Sequence, residues 1–112
     1  MIFDLNLNPV PFELIKNGKK TIEMRLYDDR RKAIKIGDII RFTNNITNEV
    51  MSVKVINLYR FNNFDELYSY FPKTMLGYGE DEIAKASDME IYYSKEKILQ
   101  YGVLGIEISL MK

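Results

Sequence analysis

The sequence predicts an α+β fold, with a small curled sheet and helices gathered at one side. Three observations support this class. Alternating apolar and polar residues mark strands near the start, in the middle and at the end of the chain. Short helix-like stretches with capping residues lie between those strands. The length of 112 residues fits one domain, which we predict to span 1–112.

The first predicted elements are a strand, a short helix and a second strand. Residues 2–7 alternate like a strand, and the run 8–11, which holds two prolines, ends it. Asn8 is a candidate cap for a helix that ends at 17–18, where Asn is followed by Gly. Strict alternation over 21–27 then predicts the second strand.

The middle of the chain predicts a hairpin whose second strand is irregular. Residues 28–36 are charged and predict a loop or a single helical turn. Strand-like segments at 39–43 and 50–61 are joined by 44–48, which is rich in the Asn residues that turns tolerate. The apolar alternation changes phase at Ile56, which predicts a β-bulge or a bend.

The last part of the chain predicts helices followed by a final strand. Asn63 is placed to cap a helix that Pro72 stops. Residues 81–93 are weakly patterned and are predicted to be helical. Ser94 is placed to cap the last helix, and 103–110 has the clearest strand alternation in the chain.

The residue types present limit the chemistry. The chain contains no cysteine and no histidine, which excludes disulfides, thiolate nucleophiles, imidazole metal ligands and triads with a histidine base. Proton transfer must therefore use Lys, Asp, Glu, Tyr or water. The composition still allows a Mg²⁺ or Ca²⁺ site made of carboxylates alone, but no EF-hand spacing occurs, and we predict neither a metal site nor a cofactor.

The same composition predicts a cytoplasmic protein. No apolar run approaches the ~20 residues that a membrane helix needs. The first residues lack the basic flank and the uninterrupted apolar segment of a signal peptide.

The net charge of zero hides a division along the chain. Residues 16–41 contain nine Lys or Arg and four Asp or Glu, whereas 61–96 contain eight Asp or Glu and three Lys. One interpretation is two complementary surfaces that fold against each other, which composition alone favours. The other is a localised anion site in the first half. The acidic segment also fits a regulatory domain that binds a basic protein partner.

A polar row on the second strand is the main candidate site. Alternation places Thr21, Glu23 and Arg25 on one face, about 6.5 to 7 Å apart, with Lys20 at the turn before them. Ile22, Met24 and Leu26, on the opposite face, predict a buried core. Such a polar row more often forms structural ion pairs, and it also fits a ligand held between elements.

Three tyrosines are candidates for stacking on an unpaired base. Tyr78 lies between two glycines, where it either contacts a ligand or folds back onto the surface. Of Tyr92 and Tyr93, one ring is predicted to pack in the core and the other to line a cleft.

Three stretches of the sequence have a recognisable pattern. In the first, PF at 11–12 is followed by IKNGKKTIEMRL at 15–26. The second is IGDIIRF at 36–42, and the third is YYSKE at 92–96 followed by YGVLGIE at 101–107. Together they resemble the ASCH domain family, which belongs to the PUA-like superfamily. The resemblance covers essentially the whole chain and implies a small β-barrel with flanking helices and a cleft near Lys20. It also implies RNA or modified nucleosides as ligands.

Small bacterial members similar to this chain include amidohydrolases that remove acetyl from N4-acetylcytidine, and others are ribonucleases. The amidohydrolase pattern has a lysine, which Lys20 matches, a threonine nucleophile where this chain has Glu23, and a distal glutamate, for which Glu80 and Glu82 are candidates. If the chemistry persists here, Glu23 would activate water beside Lys20, or Thr21 would be a displaced nucleophile.

Three hypotheses follow. In the first, the protein binds RNA or a modified nucleoside in a cleft lined by Lys20, Glu23, Arg25 and Tyr78, with Glu23 accepting from an exocyclic amine. In the second, it is an enzyme, either an amidohydrolase acting on N4-acetylcytidine-like nucleosides or a ribonuclease. In the third, it is a protein-interaction domain.

Overall fold

The chain folds into a five-stranded mixed sheet, curled into a half-barrel, with helices against it. The computed structural model describes residues 1–111; residue 112, the last residue of the predicted domain, lies outside the described residues. The strands are β1 (Ile2–Leu7), β2 (Ile22–Leu26), β3 (Ile39–Asn44), β4 (Val50–Phe61) and β5 (Val103–Leu110). The helices are α1 (Pro9–Lys16), α2 (Phe64–Tyr70) and α3 (Lys95–Tyr101), with short 3₁₀ helices at Arg31–Ala33, Lys73–Leu76 and Ala86–Ile91. The predicted α+β barrel with flanking helices is confirmed.

The order of the strands leaves a seam in the barrel. The sheet runs β1-β3-β4-β5-β2; β1 pairs parallel with β3, and the other pairs are antiparallel. β1 and β2 are therefore the two edge strands, and no ladder of backbone hydrogen bonds joins them within residues 1–111. A gap between these two edges can hold side chains or a ligand.

The predicted irregularity in β4 is confirmed. The register of β4 against β5 shifts between Val55 and Asn57, and Ile56 is exposed to solvent. The bulge reverses which face the following side chains occupy, so β4 bends where the sheet curls.

Two hydrophobic clusters bury β2 and β5 on both faces. Inside the half-barrel, Leu104 and Ile106 pack with side chains from β1, β3, β4 and α1. On the other face, Ile22, Met24 and Leu26 pack beneath α2 and the 3₁₀ helices, as their predicted core role requires. Glu23 and Arg25 pair with Ile106 and Leu104, so the predicted polar row faces the barrel side.

The helix caps agree with the sequence at two of three positions. The Asn63 side chain accepts from the backbone N–H of Glu66 at 2.9 Å, and the Ser94 hydroxyl accepts from that of Lys97 at 3.3 Å. The expectation for Asn8 is wrong, because its side-chain oxygen accepts from the Asn45 amide at 2.7 Å and does not cap α1.

The prediction of a helix over 81–93 is also wrong, because the helical part is shorter. Only Ala86–Ile91 is helical, and as a 3₁₀ helix. Met89 is its one buried residue, so the segment has too narrow an apolar face to dock a longer helix.

Gly102, which follows α3, is a position where a side chain should destabilise the fold. Its backbone has φ 75° and ψ −173°, and a Cβ atom there would lie 2.9 Å from the Phe61 carbonyl oxygen. Gly18 also has φ 75°, but nothing lies within 4 Å of a Cβ there. We expect Gly102→Ala to lower the free energy of unfolding by about 3 kcal/mol, against about 1 kcal/mol for Gly18→Ala. Urea denaturation of both variants measures the difference, and equal losses would contradict the steric argument.

Candidate functional site

A cavity of about 390 Å³ lies at the seam of the half-barrel. Side chains from β1, α1 and β2 line one side, and the segment 76–93 lines the other. Lys20, Glu23 and Arg25 all reach this cavity. The structure thus brings together three of the four predicted positions at the start of β2.

Glu23 is the centre of a buried ion cluster. Its Oε1 accepts from the backbone N–H of Met24 at 3.1 Å and lies 3.0 Å from the Lys20 ammonium. Its Oε2 lies 3.0 Å from Arg25 Nε and 2.9 Å from Arg25 Nη2. These four contacts match the roughly four lone-pair sites of a carboxylate, so Glu23 has no acceptor capacity left for a ligand.

Charge balance keeps Glu23 ionised despite its burial. The side chain is 3% exposed, and burial alone would raise the pKa of the carboxyl group. The ammonium of Lys20 and the guanidinium of Arg25 outweigh that effect and lower the pKa of Glu23 to about 2. Burial also opposes the charge on Arg25, but Glu23 outweighs it and raises the pKa of the guanidinium.

Arg25 spans the seam that the backbone leaves open. Its Nη2 donates to the Asn6 carbonyl of β1 at 2.9 Å, while the same guanidinium contacts Glu23 on β2. Arg30 makes a similar contact with the Asp4 carbonyl at 3.3 Å. These arginines satisfy carbonyls of the β1 edge that a neighbouring strand would otherwise bind.

A tight turn covers Lys20. Gly77 has φ 102°, and a Cβ atom there would lie 3.3 Å from Lys20 Cδ and from Leu14 Cδ1. The backbone N–H of Lys20 donates to the Leu14 carbonyl at 3.0 Å, which fixes the lysine at the end of α1. Because Gly77 has no side chain, its backbone lies close to the aliphatic stem of Lys20. The ammonium at the end of that stem contacts Glu23.

The opposite wall is aromatic and hydrogen-bonded. The Tyr78 hydroxyl donates to Asp88 Oδ2 at 2.8 Å and lies 2.8 Å from the Tyr68 hydroxyl. Burial, followed by these two contacts, raises the pKa of Tyr78. Tyr78 thus lines the cavity, and its hydroxyl is held by Tyr68 and Asp88.

The remaining candidate residues divide between the cavity and other places. Thr21 does not line the cavity, and its hydroxyl oxygen is buried without a hydrogen-bond partner among residues 1–111. Glu82 lines the cavity and accepts from the Gly79 N–H at 2.7 Å, whereas Glu80 is exposed and not part of the lining. Tyr93 is half-buried, stacked on Phe64, and Tyr92 is exposed; both line the cavity.

Sequence patterns missed several lining residues. Asn6, Asn8 and Asn45 enter from the β1 side, and Tyr68 and Asp88 from the other wall. The polar residues that alternate along β1 were the one feature of the sequence that indicated a lining residue there. The other residues reach the cavity through contacts between distant parts of the chain, which local patterns do not show.

The divided charge does not pair across the molecule. Within residues 1–111, no ion pair shorter than 4.0 Å joins the basic segment 16–41 to the acidic segment 61–96. The two segments do fold against each other, but through the apolar side chains of β2 and α2 and not through ion pairs. In the same described part of the chain, no three carboxylates converge as a metal site would require.

The buried cluster predicts acid sensitivity centred on Glu23. The pKa of the Glu23 carboxyl group has an ordinary value of 4.5 and falls to about 2 in the folded protein. Its stabilising contribution is therefore complete above pH 4.5 and disappears as the pH falls through 2, a change of roughly 3 kcal/mol. We expect Glu23→Gln to be less stable at pH 7, because Lys20 and Arg25 lose their partner, and to have a flatter dependence of stability on pH.

Urea denaturation between pH 2 and 7 measures this effect. Asp4→Asn is the control, because Asp4 pairs with Arg41 on the exposed surface. It should keep the steep dependence below pH 4.5. An equally steep dependence in Glu23→Gln would contradict the assignment.

None of the helices formed by residues 1–111 has the length and apolar character needed to cross a lipid bilayer.

Comparisons with known proteins identify relatives of the whole chain. A crystal structure of a hypothetical protein is 31% identical with a TM-score of 0.84, and the match covers 99% of this chain and 100% of that chain. A solution NMR structure of a protein from Pyrococcus furiosus is 33% identical with a TM-score of 0.78, covering 100% of this chain and 99% of that one. No curated protein matches the sequence significantly.

More distant structures share the fold. The crystal structure of ASCH from Zymomonas mobilis is 14% identical with a TM-score of 0.70, over 96% of this chain and 66% of that chain. The ASCH domain profile matches residues 5–112 of the sequence. The chain therefore belongs to the ASCH domain family.

Proposed function

We propose that the seam cavity binds a base of unpaired RNA or a modified nucleoside. The ASCH domain family has a PUA-like fold and a proposed role in RNA binding. The observation that supports the proposal for this chain is the buried cluster of Lys20, Glu23 and Arg25 beside an open cavity.

A need for stability alone does not explain why these three charged side chains are buried together; binding of a ligand does. Removing two cations and a carboxylate from water is costly, and well-packed apolar residues often stabilise a protein as much as a buried ion pair. A perturbed carboxyl pKa beside a cavity is also typical of functional sites. We therefore assign Lys20 and Arg25 to contact carbonyl or phosphate oxygens of a ligand.

The cavity has the size and lining of a small-ligand site. Its volume of about 390 Å³ lies within the usual range for such pockets. Tyr78, Tyr92 and Tyr93 provide aromatic surface on which a base can stack. Asp88 and Glu82 lie on the same wall and can accept from an exocyclic amine, a role that Glu23 cannot take with its oxygens occupied.

Glu23 acts in this proposal as a positioning residue. It contacts both cations and fixes their separation, because each of its oxygens holds one of them. A ligand then meets donors that are already oriented, which lowers the entropy lost on binding.

The same contacts make hydrolysis through Glu23 the weaker candidate. A general base needs a free lone pair and a pKa near the working pH. Glu23 has its lone pairs engaged and a pKa of about 2, and the Thr21 hydroxyl is outside the cavity. Binding is therefore the activity we infer, over amidohydrolase or ribonuclease action.

Calorimetric titration with N4-acetylcytidine, cytidine and short single-stranded RNAs tests the proposal. We expect saturable binding of at least one of these, weakened at least tenfold by Lys20→Ala or Arg25→Ala, because each variant removes a buried donor. Lys95→Ala is the matched control, since its side chain is 84% exposed and outside the cavity, and it should bind as the unmodified protein does.

Circular dichroism of each variant separates a loss of binding from a loss of fold. Absence of saturable binding, or affinity that both site variants leave unchanged, would refute the proposal. Release of cytidine from N4-acetylcytidine, abolished by Lys20→Ala, would replace it with the amidohydrolase hypothesis.

A further inference from the structure

We infer that the seam cavity selects a ligand bearing a phosphate group over its neutral nucleoside. This inference rests on the proposed function and specifies the chemical class of its ligand. Two buried cations share a single carboxylate, so the cluster carries an unbalanced positive charge at the wall of the cavity.

The charge imbalance follows from the ion pairs. The side chains of Lys20 and Arg25 are 9% and 12% exposed, and each contacts Glu23. Among the ion pairs of residues 1–111, neither cation has a second carboxylate within 4.0 Å. With Glu23 ionised, one positive charge of the cluster stays uncompensated.

The nearby carboxylates do not neutralise this charge by contact. Asp88 and Glu82 line the same cavity, but both residues are exposed to solvent. Asp88 accepts from the Tyr78 hydroxyl, and Glu82 accepts from the Gly79 N–H. Within the part of the chain that the structure describes, neither of these carboxylates lies within 4.0 Å of Lys20 or Arg25, so an anion would not have to displace them from the two cations.

The donors that an anion needs are also present. An ammonium has three N–H donors and a guanidinium has five. Glu23 and the Asn6 carbonyl take one contact from Lys20 and three from Arg25, and the Tyr93 hydroxyl lies beside the guanidinium. Donors therefore remain on both side chains, and both side chains line the cavity.

A phosphate suits this arrangement for two physical reasons. Its oxygens form charge-assisted hydrogen bonds to ammonium and guanidinium groups, which are stronger than bonds to a neutral carbonyl. It also supplies the negative charge that a buried cation requires, whereas a neutral nucleoside leaves that charge uncompensated. Burial of the cations should make the contact less sensitive to salt than surface phosphate binding is.

The test compares cytidine, cytidine 5′-monophosphate and a short single-stranded RNA by calorimetry with the complete protein, and a separate titration uses inorganic phosphate alone. We expect cytidine 5′-monophosphate to bind at least tenfold more tightly than cytidine. Tighter binding of the RNA than of the mononucleotide would assign the phosphate to a strand, and equal binding would assign it to a free nucleotide; both results support the inference.

Adjacent lysines provide a matched pair of variants. Lys20→Met removes the charge but keeps a similar apolar stem, and it should bring the affinities for cytidine and cytidine 5′-monophosphate within threefold of each other. Lys19→Met makes the same change at an exposed neighbour outside the cavity and should preserve the tenfold preference. If Lys20→Met does not fold, the comparison of ligands on the unmodified protein still decides the question.

The outcomes separate this inference from the function on which it rests. Equal affinity for cytidine and its monophosphate would overturn the inference and leave nucleoside binding standing. No binding of any of the three ligands would overturn both. Binding of inorganic phosphate that Lys20→Met abolishes, without added affinity from the nucleoside, would support the anion site and refute base recognition.

Discussion

The interaction on which this structure depends is the three-membered ion cluster at the seam between the two edge strands. β1 and β2 lack a shared backbone ladder, so the barrel is open there. Arg25 replaces part of that ladder with a side-chain contact to β1, and Glu23 holds Arg25 in place. Full pairing of the edges would satisfy the same backbone groups and would eliminate the cavity. The unpaired edges are thus a structural cost that leaves the cavity open between them.

The fold was predictable where local patterns determine it. Alternation in β2 and β5, the phase change at Ile56 and the caps at Asn63 and Ser94 each depend on neighbours within a few residues, so sequence spacing reveals them. The segment 81–93 was mispredicted because its structure depends on how much surface it buries against α2 and β2, which no local pattern expresses.

The same distinction applies to the site. Lys20, Glu23 and Arg25 were identifiable together because one turn and one strand place them within six residues of each other. Asn6 and Tyr68 reach the cavity only through the parallel pairing of β1 and the docking of α2, contacts between distant parts of the chain. Thr21 is two residues before Glu23 but precedes β2, and it is not among the residues that line the cavity.

The identity of residue 23 determines what the cluster can do. A threonine there would leave Lys20 and Arg25 without a carboxylate between them. The cavity would then contain two unpaired cations and a hydroxyl group available for reaction. Glu23 instead binds both cations and has no lone pair left to activate water. The carboxylate therefore leaves a rigid, partly neutralised set of donors beside the cavity, and the proposed recognition of an anionic ligand rests on that set.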